Sequence, residues 1–138
     1  MLNFLNKIIN NSLHKENTTL ERKDEEKMNN EKVRENKSEI IRFLSGFSII
    51  KTFDTEVEQN IGLLKYKNIP FYAAFIFRFK EEKIRHFHTV GMMFNIDIYF
   101  FNKKGKLVSK HLNCKPGLED LCSVEPSKYV VEIKSKEV

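Results

Sequence analysis

The side chains best suited to chemistry lie close together in the second half of the chain. His86 and His88 are two residues apart. On a strand both imidazoles would project from one face, as two ligands to a single zinc or other divalent ion must. Asp97 interrupts an apolar run between Ile96 and Ile98. A carboxylate in such surroundings must reach solvent or be hydrogen-bonded and paired, so it reads either as a structural acceptor or as a general base. His111, Cys114 and Cys122 could add ligands, but His111-x2-Cys114-x7-Cys122 is no recognised zinc spacing. Cys114 with His111 as its base lacks a third, orienting residue. No second carboxylate, nucleophile and oxyanion donor stands beside Asp97 in the sequence, and there is neither a glycine-rich phosphate loop nor a dinucleotide fingerprint. Asp97, His86 and His88 are therefore expected to bind rather than to catalyse, with no metal and no cofactor.

The elements that would position them are short. FSIIKTF (47–53), IGLLKYK (61–67), IPFYAAFIFRF (69–79), IRHFHT (84–89), FNIDIYFF (94–101), KLVSKHL (106–112) and KYVVEIKS (128–135) are β-branched or aromatic and separated by turn residues. Phe71, Ala73, Phe75, Phe77 and Phe79 alternate with Tyr72, Ala74, Ile76 and Arg78, which puts the phenylalanines on one core-facing side. NKKG at 102–105 has the composition of a hairpin loop with glycine in the left-handed position, so 94–101 should pair antiparallel with 106–112. Ser38 to Gly46 reads as a short capped helix. No long helix intervenes to make parallel crossovers, and the expected fold is mainly β: a small antiparallel β-sandwich or partly open barrel, preceded by a polar arm that is helical or disordered.

The boundary between arm and domain is compositional. Ten of the twelve Phe lie between Phe47 and Phe101, whereas residues 14–39 contain no aromatic residue and only Leu20, Met28 and Val33 as large apolar side chains. The expected division is an arm over 1–45 and a β domain over 46–138. Of the net charge of +5, residues 1–45 supply +1 (nine cations, eight anions) and residues 46–138 supply +4 (fifteen against eleven). That excess is too small and too dispersed for a phosphate-backbone face, which argues against nucleic acid even around Lys103, Lys104, Lys106 and Lys110. Leu2, Leu5, Ile8 or Ile9 and Leu13 recur at helical steps and want a partner: the domain itself, a membrane surface, or a second copy, which would make a homo-oligomer through residues 1–13. Asn6, Lys7, Asn10 and Asn11 interrupt any export-signal core, and no apolar run approaches the length of a transmembrane segment. With only two cysteines besides, a cytoplasmic protein is expected.

From His86 onward, HFHTVGMMFNIDIYFFNKKGKLVSKHLNCKPG followed by CSVEPSKYVVEI resembles the uncharacterised bacterial and archaeal family called domain of unknown function 192. The correspondence runs through His88 and Thr89, Met92 or Met93, the strand bearing Asp97, Gly105, Lys115-Pro116-Gly117 and Val131-Glu132-Ile133. More weakly, it extends back through Gly62-Leu63-Leu64 to about Phe47. Asn95 stands where the family has proline. The resemblance implies a single β-sandwich-like domain, brings no agreed activity or cofactor, and adds Thr89 to the candidate binding residues. The function expected is a non-enzymatic accessory module for an unidentified ligand or protein partner. The alternative is a small metal-assisted hydrolase using His86, His88 and Asp97.

Overall fold

The computed structural model describes residues 39–136. The apolar stripe Leu2–Leu13, its oligomeric role and the polar stretch after it lie outside the described residues. Residues 39–44 are helical (α1), as the Ser38–Gly46 reading anticipated. Then follow β1 (Ser48–Phe53), α2 (Glu56–Ile61), β2 (Ala73–Lys83), β3 (His86–Phe87), β4 (Ile96–Phe101), β5 (Leu107–Cys114), β6 (Leu121–Cys122) and β7 (Ser127–Lys134).

Five strands form one open sheet in the order β1-β2-β7-β4-β5, and β3 pairs with β6 in a separate two-stranded ribbon. The fold is mainly β, as expected, but β1 and β2 run parallel. The expectation that no parallel crossover could form fails because residues 54–72 supply one without a long helix. Within it, IGLLKYK is not a strand. Thr55 caps α2, accepting the Glu58 amide at 3.2 Å while the Glu58 carboxylate accepts the Thr55 amide at 3.2 Å. This capping box commits 56–61 to helix. Gly62, at φ 49°, ends it in a conformation L side chains rarely adopt. Turns complete the crossover, with Leu64 N–H donating to Ile61 C=O and Tyr66 N–H to Leu63 C=O, each at 3.0 Å. Gln59 anchors α2 by donating to the carbonyls of Phe53 (3.1 Å) and Arg78 (2.9 Å).

The 102–105 hairpin forms as read. β4 pairs antiparallel with β5, Gly105 sits at φ 81°, and the Asn102 side chain accepts the amides of Lys104 and Lys106, both at 3.0 Å. Strand β7 is central, paired antiparallel with β2 and β4 so that neither edge is free, and a core packs on each of its faces. Tyr129, Val131 and Ile133 join Ala74, Ile76 and Phe101 in one core, which α1 closes with Ile40 and Leu44. On the other face Val130 joins Phe53, Leu63, Phe75, Phe77, Ile98 and Phe100. Burying each such side chain contributes about 1.5–3 kcal/mol, so the sheet is held from both sides. The alternation in 71–79 is real from Ala73 onward, yet Ala74 and Ile76 are buried too. Phe71 lies before the strand and is exposed.

Candidate functional site

A cleft of about 890 Å³ opens on the second face of the sheet. It is lined by residues 54–56 and 59–64, by the stretch 79–88 apart from Glu82, and by Phe77, Met92 and Glu132. Gly62 admits the close packing there: a Cβ on it would stand 3.1 Å from Cζ of Phe77, so a side chain would press into the ring that lines the cleft. Phe87 packs edge-on against Phe77 (5.0 Å between centroids) and Phe100 (5.7 Å), which makes the site aromatic and fixes its rings.

Glu132 is the anomaly. It sits on the central strand opposite Phe75 of β2 and Ile98 of β4, facing the same core as both. It is only 4% exposed and lines the cleft. Among the described residues no hydrogen bond or ion pair reaches its carboxyl group. Burial alone pushes it up to about 8, so the group is mostly protonated at neutral pH and presents an O–H donor and free acceptor capacity to whatever enters. Buried polar groups are almost always satisfied, and a carboxyl group perturbed by burial inside a cleft is a mark of a functional site.

The residues singled out from sequence are distributed differently. His86 and His88 both line the cleft and are exposed, but β3 ends at Phe87, so strand geometry does not align them. His86 Nδ1 lies 2.6 Å from Asp120 Oδ1, and His88 Nδ1 accepts the Val90 amide at 3.2 Å. Thr89 is buried and staples a loop. Its hydroxyl donates to Lys115 C=O at 2.6 Å and accepts Leu118 N–H at 2.9 Å. Asp97 pairs in register with Ile133 and so lies on the opposite side of the sheet from the cleft. Its Oδ1 accepts the amide of Asn113 at 2.7 Å, where the backbone takes φ 52°. The structure thus places His86 and His88 on the rim of the cleft that Glu132 lines and leaves Asp97 on the other side of the sheet.

Cys114 and Cys122 are unpaired. Cys114 is buried, donates its thiol to His111 C=O at 3.4 Å, and is pushed up to about 11, chiefly by burial, which makes it a poor nucleophile. Among the described residues, the side chains grouped so that they could hold a metal are His86, Asp120 and Cys122, whose donor atoms lie within 4.8 Å of one another at the β3–β6 ribbon. Asp120 was not anticipated from sequence; the pairing of His86 with Cys122 brings it in.

Glu132 was legible only as part of a family pattern. In KYVVEIKS the positions that share its face are Lys128, Val130 and Lys134, the pattern of a solvent-facing side, so nothing local marks Glu132 as buried.

No curated protein matches the chain in sequence. Two solved structures share its fold. One is a protein of unknown function from Novosphingobium aromaticivorans, with a TM-score of 0.61 at 22% identity, covering 65% of this chain and 64% of that one. The other comes from Sinorhizobium meliloti and is described as a candidate transcription regulator, with a TM-score of 0.60 at 20% identity, covering 64% of this chain and 69% of that one. The match therefore spans a little under two thirds of the Novosphingobium protein's length. The family model for DUF192, "Uncharacterized ACR", matches residues 46–138, from just before β1 through β7. The chain belongs to the DUF192 family.

Proposed function

We propose that the domain is a non-enzymatic ligand-binding module whose ligand enters the cleft and meets Glu132. The observation that carries this reading is a carboxyl group buried without a partner among the described residues, at a cleft lined by aromatic rings. Its oxygens are not among the fully enclosed unpaired atoms and so face the cleft, where a ligand that supplies a hydrogen bond to them gains affinity and orientation. The hydrolase alternative draws no support from the geometry, because the sheet separates Asp97 from His86 and His88. Among the described residues no helix is long and apolar enough to cross a membrane. The N-terminal arm acts as a tether or docking element for this module in the cytoplasm.

A fragment screen read by backbone amide shifts tests the proposal. Hits should move Gly62, Phe77, Phe87 and Glu132 together. Perturbations confined to the Asp97–Asn113 side of the sheet would overturn it.

A further inference from the structure

We infer that the ligand of this cleft carries a protonated amine, which Glu132 receives as an ion pair with the rings of Phe77 and Phe87 alongside. The inference rests on the binding reading above and adds the ligand's charge. Of the other charges around the cleft, Glu56 and Lys80 are exposed at its rim and Arg85 keeps a buried Nε without a partner, while the rest are engaged. Asp54 is held by Arg78 at 2.7 Å, Glu81 by Lys83 at 3.2 Å, and Arg85 lies over the Phe79 ring at 4.0 Å while donating to the Glu81 carbonyl. Glu132 has no Lys, Arg or His within ion-pair distance among the described residues.

A buried carboxyl group without a counter-charge stays protonated, whereas an arriving cation supplies both the charge and the N–H donors that make its ionised form stable. An anionic ligand would oppose that ionisation, and a neutral one would leave it undone. Aromatic faces favour the same choice, since the ring quadrupole attracts a cation and repels an anion. The step is balanced: the neutral carboxyl group gives its proton to solvent as the ammonium group pairs with the carboxylate.

The test is to titrate the full chain with benzylammonium chloride and, separately, with benzyl alcohol of nearly the same shape. Amide shifts of Gly62 and Phe87 and the side-chain carboxyl ¹³C resonance of Glu132 are followed at pH 7. Benzylammonium should bind roughly tenfold or more tightly than the alcohol and move the carboxyl resonance to its ionised position. Glu132→Gln, which keeps the shape and loses the charge, should abolish that preference. If the alcohol binds the cleft as tightly as the amine in the native protein, the charge assignment is overturned while the cleft stands. If neither probe perturbs the cleft amides, the cleft reading falls with it.

Discussion

Replacing Glu132 by Gln should raise stability near pH 8 and flatten its dependence on pH. The sign follows from burial. The carboxyl group titrates near its ordinary 4.5 when the chain is unfolded and near 8 when folded, so between these values the folded state holds a proton the unfolded state has lost. Its contribution is full below about 4.5 and is lost as pH rises through 8, at up to about 1.4 kcal/mol per pH unit. Urea midpoints of the native protein should therefore fall across that window more steeply than those of the variant; parallel profiles would show that Glu132 is not buried unpaired. Asp97→Ala should act oppositely, destabilising by about 1–3 kcal/mol, because the Asn113 amide loses its acceptor. An unchanged midpoint would contradict that structural role. At the ribbon, His86 and Asp120 side chains are 63% and 73% exposed and bonded to each other, so a metal would have to displace that contact from solvent. Elemental analysis of protein purified without added ions should find well under one metal per chain, and one zinc retained through dialysis would refute this.

Elements were legible where the two-residue period is strong and local chemistry agrees with it. β1, β4, β5 and β7 lie within a residue or two of the segments read from sequence, and the 102–105 loop takes its anticipated turn with Gly105 left-handed. Residues 61–67 were misread because apolar content was weighed above the cap: Thr55-x-x-Glu58 and Gly62 bracket a helix whose Val57 and Ile61 face solvent. β6 is two residues long and exists only as the partner of β3, a tertiary effect no local pattern records. The candidate site was half legible. Histidine types drew attention to its rim, while Glu132 is hidden until the strand order puts β7 at the centre. The same crossover supplies a prediction. Gly62→Ala meets both the φ of 49° and the Phe77 ring, so it should cost about 1–3 kcal/mol and weaken probe binding in the cleft. Thermal unfolding beside a probe titration would show it; an undisturbed variant would mean the ring is free to move.

At the scale of the molecule, α1 packs on the sheet as part of the domain's core. Ile40 and Leu44 are 0% and 2% exposed, packed on the sheet just upstream of where the family match begins. A chain beginning at Ser38 should keep the full-length unfolding midpoint. One beginning at Ser48 forfeits both side chains, each contributing about 1.5–3 kcal/mol, and should be strongly destabilised or insoluble. Equal midpoints for the two truncations would show that α1 is ornamental. The position of β7 has a further consequence, for synthesis. The strand through which the two halves of the sheet are joined is the last of the seven to be translated, so β2 and β4 leave the ribosome with facing edges and no mate between them. Until residues 127–134 emerge, Phe75, Phe77, Ile98 and Phe100 have no finished sheet to shelter in. From the time β2 and β4 emerge until β7 follows, the nascent chain is thereby exposed to edge-to-edge association with its neighbours, and ribosome pausing or premature termination before Ser127 would release an adhesive fragment instead of a smaller domain.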